Sequence, residues 1–212
     1  MGGRVARDIA GITARQRSAL ERLSAVLPQS AYLAGGVAVA IRCGHRSSID
    51  LDIFMPEDPV PVTLPAIKQM EGVLITQQAS RTLYVEIDGI PTSILAYEYA
   101  HLAPPEAITG VSVPVASVAD LVAMKLAAIG DRGAARDFWD LHELMLRTSM
   151  SLDAALELHQ RRFPRLDPGH IVRALVYFAD ADAAPLPRSM SAETWEAIKH
   201  DFRDWVRAYA RA

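Results

Sequence analysis

Hydrophobic and polar positions follow two periods along this chain, and the change from one to the other divides it. From Thr13 to Leu27 the apolar residues Ala19, Leu20, Leu23, Val26 and Leu27 recur at helical spacing until Pro28 stops them. Ala31 to Ala34 reads as a short apolar strand end. The pair Gly35-Gly36 follows, then a helical turn or two that Gly44 closes in the position a helix C-cap prefers. Ile49 to Phe54 alternates strictly, with Ile49, Leu51 and Ile53 on one face and Asp50 and Asp52 on the other, the pattern of a half-buried strand. Met55 to Pro65 reads as a proline-rich loop and Ile67 to Gly72 as a helix-like piece. Between Arg81 and Tyr97, Asp88-Gly89 separates two alternating runs and predicts a hairpin. A two-residue loop there pairs Ile87 with Ile90, Val85 with Thr92 and Leu83 with Ile94, which leaves Tyr84, Glu86 and Ser93 on the opposite face.

From Ser117 the helical period takes over. Ser117 starts a helix with Asp120 in its first turn that runs to Gly130, and a second begins near Gly133 and carries Phe138, Leu141, Leu144 and Met145. Leu152–Phe163, Gly169–Phe178 and Ala192–Tyr209 continue the pattern around a proline-containing loop at Pro185–Pro187, with no strand signal. The expected organisation is an α+β chain: a core over residues 1–150 with an N-terminal helix, and a helical C-terminal region over residues 151–212 packed on it.

Composition narrows the function classes. The chain has 212 residues, 50% hydrophobic and 22% charged, ordinary for a globular protein with a sizeable core. A net charge of −3 and a pI near 6.1 give no global attraction to nucleic acid or an anionic membrane surface. A single cysteine, Cys43, excludes an internal disulfide and cysteine-based metal clusters, and reads as a buried small apolar residue. The first residues, Met1 to Asp8, carry charges where a signal peptide needs its apolar run, and no stretch approaches the ~18 apolar residues of a membrane span. A cytoplasmic protein is expected.

The chemistry gathers in Gly35-Gly36 and Arg46-x-Ser48-x-Asp50-x-Asp52. Carboxylates at i and i+2 of a strand point the same way with Cα atoms about 6.5 Å apart, close enough to share a divalent cation. A glycine pair opening a helix exposes backbone N–H groups at the positive end of the helix dipole, where phosphates bind. Together they form two halves of a nucleotide site. With 15 Asp in the chain, a chance Asp-x-Asp is expected, and Asp180-Ala-Asp182 supplies one without the alternation or an upstream glycine pair. That second pair reads as solvated or capping.

The segment Leu33-Ala-Gly-Gly-Val-Ala-Val-Ala-Ile-Arg-Cys-Gly-His-Arg-Ser-Ser-Ile-Asp-Leu-Asp-Ile-Phe resembles the signature of the nucleotidyltransferase-like AbiEii/AbiGii toxin family, within the DNA polymerase β-like nucleotidyltransferase superfamily. The resemblance continues in Lys125-Leu-Ala-Ala-Ile, in Arg136-Asp137-Phe-Trp-Asp-Leu and around Leu175 to Asp182, and so spans about Tyr32 to Phe202. It implies a nucleotidyltransferase fold, a small mixed sheet flanked by helices. It also implies Asp50 and Asp52 as magnesium ligands, Gly35 and Gly36 as triphosphate anchor, Arg46 and Ser48 beside the phosphates, and Lys125 and Asp137 as later catalytic motifs facing the nucleotide. The implied activity is Mg²⁺-dependent transfer of a nucleotidyl group from a nucleoside triphosphate to an acceptor hydroxyl. The implied setting is the toxin of a toxin–antitoxin or phage-defence pair, with an RNA or tRNA acceptor, a cognate antitoxin and no membrane.

Some residues carry competing readings. Lys125 lies between Met124 and Leu126 and is one of three lysines; it suits a phosphate oxygen or a snorkelling surface position. Asp137 suits either orientation of Lys125 or a first-turn dipole contact, and His45 reads as a loop residue. The superfamily's third carboxylate falls on Ser93, a poor metal ligand and no base at neutral pH. That favours a second reading, a catalytically degenerate nucleotide-binding or regulatory module. The hairpin register puts Glu86 diagonal to Ser93 as a substitute carboxylate. A transferase acting on a small cationic molecule such as an aminoglycoside is a third reading.

Overall fold

The computed structural model describes residues 9–211. The charged segment Met1 to Asp8 lies outside them. The described chain divides into two compact units, one of residues up to Ala100 with Pro104–Ser117, the other of His101–Ala103 with Val118 onward. The sequence reading set a boundary at residue 150; the compact units divide at Ser117, because the helices from Val118 to Thr148 pack with the later helices.

The first unit opens with α1 (Ala14–Ser24), started by a capping box in which the Thr13 hydroxyl accepts from the Gln16 N–H while the Gln16 side chain accepts from the Thr13 N–H. Strand β1 (Tyr32–Ala34) leads directly into α2 (Gly35–Cys43), which ends on Gly44 at φ 64°, as the sequence pattern required. Cys43 is buried and free. Strand β2 (Leu51–Met55) is shorter at its start than the alternation predicted: Asp50 precedes it and Ile49 is 73% exposed, so the buried face begins at Leu51.

Helix α3 (Pro59–Ile67) replaces the loop expected over Met55–Pro65. The Asp58 carboxylate caps it, and Pro59 occupies its first position, where a missing N–H costs nothing because the first turn has no intrahelical acceptors. Strands β3 (Val73–Ala79), β4 (Thr82–Ile87) and β5 (Ile90–Ala96) complete the sheet. The hairpin register is the predicted one, with Ile87 opposite Ile90, Val85 opposite Thr92 and Leu83 opposite Ile94, and its turn has Asp88 at φ 50° and Gly89 at φ 78°.

The sheet order is β1-β2-β5-β4-β3, with β2 and β5 parallel and the other neighbours antiparallel. Leu51, Ile53, Leu83, Ile87 and Ile94 are fully buried on one face, and α1 and α3 pack on this sheet through Leu20, Leu23, Leu64 and Ile67. The opposite face carries Asp52, Ser93, Tyr84 and Glu86. The outer edge of β1 is covered: Leu33 exchanges backbone hydrogen bonds with Pro114 and Ala116.

The second unit is helical: α4 (Val118–Asp131), α5 (Ala135–Thr148), α6 (Leu152–Arg162), α7 (Pro168–Ala174), α8 (Ala179–Ala183) and α9 (Ala192–Tyr209). Its core is aromatic, with Phe138 in ring contact with Phe178, Trp195 and Phe202 at 5.3–5.7 Å. Asp120, in the first turn of α4, is fully buried, accepts from the Leu102 N–H and pairs with Arg162 of α6. Asp182, of the second Asp-x-Asp and read from the sequence as solvated or capping, has a structural role: it accepts from Trp195 Nε1 at 2.7 Å and from Lys199 Nζ at 3.1 Å. Among the described residues no helix is long and apolar enough to cross a membrane.

Candidate functional site

Three adjacent strands build the site in the first unit. Pairing puts Ala34 of β1, Asp52 of β2 and Ser93 of β5 in one row, so the Asp52 and Ser93 side chains stand side by side on the same face. The Ser93 hydroxyl donates to Asp52 Oδ1 at 2.7 Å, and Ser93 is itself buried. The other carboxylate oxygen lies against the start of α2. A Cβ on Gly35 would fall 2.0 Å from Asp52 Oδ2, and Gly35 sits at φ +65°, so both the space and the backbone there require glycine.

Gly36 makes the second close approach. A Cβ on it would lie 2.4 Å from Ser48 Oγ and 2.9 Å from Arg46 Nη2. The N-cap residue Ala34 gives α2 no side-chain hydrogen bond, so the first N–H groups of the helix face the same corner without a cap. Gly35, Gly36, Arg46, Ser48 and Asp52 are therefore one constellation, with the exposed Asp50 two residues from Asp52 at the mouth of β2.

One member was not legible beforehand. Gln16, buried on α1, donates through Nε2 to the carbonyls of Ser48 at 2.8 Å and Ile49 at 2.9 Å, and so pins the segment that delivers Asp50. A glutamine on the face of α1 that also buries Ala19, Leu20 and Leu23 was the available signal. Glu86, the suggested substitute carboxylate, is opposite Pro91 and diagonal to Ser93 as expected, while Tyr84 is the direct neighbour of Ser93. Glu86 does not join the aspartates: among the described residues no three His, Cys, Asp or Glu side chains converge on a position that could hold a metal ion.

The donor set still fits magnesium in one particular way. Mg²⁺ takes hard oxygen ligands and is commonly held by one or two carboxylates together with substrate phosphates and water. Asp50 and Asp52 would supply such a pair, with the first N–H groups of α2 and Arg46 close to Asp52.

The other two expected site residues come together in the second unit. Lys125 of α4 is buried, with Nζ 3.1 Å from Asp137 Oδ1 and 2.7 Å from Asp140 Oδ2 on α5. Arg132 grips Asp137 with two bonds, Nε to Oδ2 at 2.8 Å and Nη2 to Oδ1 at 2.9 Å. Burial would raise the Asp137 pKa; the Arg132 hydrogen bond and the charges of Lys125 and Arg132 outweigh it and hold the carboxyl below the ordinary aspartate range. The snorkelling reading of Lys125 fails, because its ammonium is enclosed between carboxylates rather than reaching water. Arg132 and Asp140 were missed; Asp140 follows Asp137 at i+3, on the same helical face, which was the signal.

A row of Asp and Ser on a mixed sheet, fronted by a glycine pair opening a helix, is the geometry of a nucleotidyltransferase fold, and solved structures of that class superpose on this chain. MenT4, the nucleotidyltransferase toxin Rv2826c from Mycobacterium tuberculosis H37Rv, matches with a TM-score of 0.60 at 21% identity, over 91% of this chain and 81% of that one. The antibiotic-resistance factor ANT(2'')-Ia matches with a TM-score of 0.55 at 19% identity, over 73% of this chain and 94% of its own. At these identities the likeness establishes the fold. The chain belongs to the family of the nucleotidyl transferase AbiEii toxin of type IV toxin–antitoxin systems, whose family model matches residues 56–211. The uncharacterized protein aq_aa25 of Aquifex aeolicus (strain VF5) is 34% identical over 204 residues, covering 92% of this chain and 95% of its own. The matched segment starts beyond Asp52, so the glycine and aspartate constellation is evidence separate from the family match.

Proposed function

We propose that this protein is a Mg²⁺-dependent nucleotidyltransferase that moves a nucleotidyl group from a nucleoside triphosphate to an acceptor hydroxyl, as a toxin with a cognate antitoxin in the cytoplasm. The observation that carries this reading is Asp52, lodged between the Ser93 hydroxyl and Gly35 and beside the Gly36, Arg46 and Ser48 corner. Magnesium held by Asp50, Asp52 and the phosphates would neutralise charge on the phosphoryl oxygens. The chain's own residues do the rest. The first N–H groups of α2 bind phosphate oxygens, Arg46 adds a fixed cation, and Ser48 a hydroxyl donor. Gln16 and Ser93 hold the two aspartates in place.

In the transfer the acceptor oxygen bonds to the α-phosphorus, the bridging bond to the β-phosphate breaks, pyrophosphate leaves and the acceptor proton passes to solvent. The family resemblance also points to Lys125 and Asp137 as later motif residues; their ion pair supports a role for Asp137 in holding the lysine. The family resemblance read from the sequence suggests RNA, tRNA in particular, as the acceptor class to test first.

Ser93 in place of a third carboxylate favours one alternative, a module that binds nucleotide without transferring it. Incubation with each α-labelled nucleoside triphosphate and Mg²⁺, with and without total tRNA, separates the two. Label appearing in tRNA supports transfer to RNA. Label bound but never incorporated supports the module, and no binding of any triphosphate overturns the site assignment.

A further inference from the structure

The chain is acidic overall, with a net charge of −3, yet residues 161–177 contain four arginines against a single acid, Asp167. Two of these five charges serve the fold. Arg162 is buried and paired with Asp120 of α4, and Asp167 caps α7 by accepting from the Gly169 and His170 N–H groups. Arg161, Arg165 and Arg173 are exposed, and among the described residues only Arg173 of the three has an ion-pair partner, Asp167 at 3.4 Å. Helix α7 buries Ile171, and the turn that follows it buries Leu175 and Phe178. The opposite positions, His170, Arg173 and Tyr177, succeed one another at helical spacing and face solvent, with Tyr177 57% exposed. His170 Nε2 donates to the Gly130 carbonyl at 2.8 Å and ties α7 to the end of α4. An aromatic ring is thereby displayed among guanidinium groups on an anchored helix.

We infer that this surface of α6 and α7 is a docking site for RNA, with Arg161, Arg165 and Arg173 pairing with phosphates and Tyr177 stacking on an unpaired base. The inference rests on the reading of RNA as the acceptor class and goes beyond it by assigning the contact to named residues. Guanidinium groups match phosphate oxygens in a planar, bidentate geometry, and an aromatic ring takes the flat face of any base. The positive charge is confined to one segment of a chain that otherwise repels polyanions, so an RNA backbone is drawn to this segment rather than to the molecule as a whole.

The test measures binding of total tRNA by filter retention between about 50 and 200 mM KCl, with no triphosphate and no turnover. Wild type is expected to show a log–log salt slope of about −2, for three phosphates contacted on a single strand. Arg161→Ala/Arg165→Ala/Arg173→Ala should weaken binding at least about tenfold at the lowest salt and flatten the slope, while lysine at all three positions keeps it. Tyr177→Ala should weaken binding about fivefold with the slope unchanged, and Tyr177→Phe should retain it. Arg147→Ala/Arg207→Ala, on α5 and α9 of the same unit, controls for general positive charge and should change affinity less than about twofold. All these side chains but Tyr177 are charged and exposed, and matching urea midpoints check that each variant is folded. A triple-alanine variant that binds tRNA as wild type does, a control pair that weakens it equally, or a wild type that binds no tRNA would each overturn the surface. Tyr177→Ala binding like wild type would overturn the stacking contact. Triphosphate binding in Mg²⁺, measured by equilibrium dialysis, reports on the nucleotidyltransferase reading separately: its absence in wild type overturns that reading, and its presence without tRNA binding overturns the RNA surface alone.

Discussion

The two units solve the problem of placing two aspartates close together in opposite ways. In the second unit Asp137 and Asp140 are fully buried, and Lys125 and Arg132 meet them with charge-assisted bonds of 2.7–3.1 Å. In the first unit Asp52 is half-buried, is held by the neutral Ser93 hydroxyl, and has Asp50 exposed beside it. A buried carboxylate matched by fixed cations is part of the architecture, since removing one partner strands the others in a low-dielectric interior. A half-exposed carboxylate sits where something that arrives from solvent can reach it. The comparison teaches where to expect loss of stability and where to expect loss of chemistry.

Perturbations of the two pairs should therefore diverge. The largest stability effect is expected at Asp137→Ala, about 2–4 kcal/mol, because the buried Lys125 loses one of its two carboxylate partners and the half-exposed Arg132 loses its bidentate one; urea denaturation measures it. Gly35→Ala comes next, about 1–3 kcal/mol from a left-handed backbone and a Cβ driven into Asp52, and it should remove nucleotide transfer even where the protein remains folded. Gln16→Ala should cost about 1–2 kcal/mol by stranding the Ser48 and Ile49 carbonyls, and should weaken triphosphate binding without altering the Lys125 network.

The smallest effect is a pH dependence. His159 is fully buried with both ring nitrogens lacking a hydrogen-bond partner, and burial lowers its pKa below the ordinary imidazole value. The unfolded ring takes up a proton near pH 6.5 while the folded one resists, so its contribution is present above that pH and is lost as pH falls toward the depressed value. The slope is at most about 1.4 kcal/mol per pH unit. Denaturation midpoints of wild type and His159→Phe between pH 7 and pH 5.5 check this, the variant showing the flatter profile.

Much of this was legible in the sequence for identifiable reasons. The α2 helix announced itself through Gly35, Gly36 and the Gly44 cap, and the Asp88-Gly89 turn set the register that brought Ser93 to the right face. Strand β3 was not legible: five of its seven residues are exposed and none is buried, as befits an edge strand. Helix α3 was hidden by its prolines: Pro59 and Pro61 lie in the first turn, where they are compatible with a helix, and Pro65 lies inside it, where composition argues against one. The Gly-Gly and Asp-x-Asp halves of the site could be read because each follows from a local period. Gln16, Arg132 and Asp140 could not, because each matters only through a partner that folding brings to it.

Asp52→Asn tests the central claim most directly, with Asp137→Asn as its counterpart, each assayed for transfer of label from α-labelled nucleoside triphosphate to tRNA and for urea stability. Asp52→Asn should abolish detectable transfer with a midpoint near that of wild type, whereas Asp137→Asn should lower the midpoint strongly. Transfer surviving in Asp52→Asn would contradict the placement of the chemistry on β2.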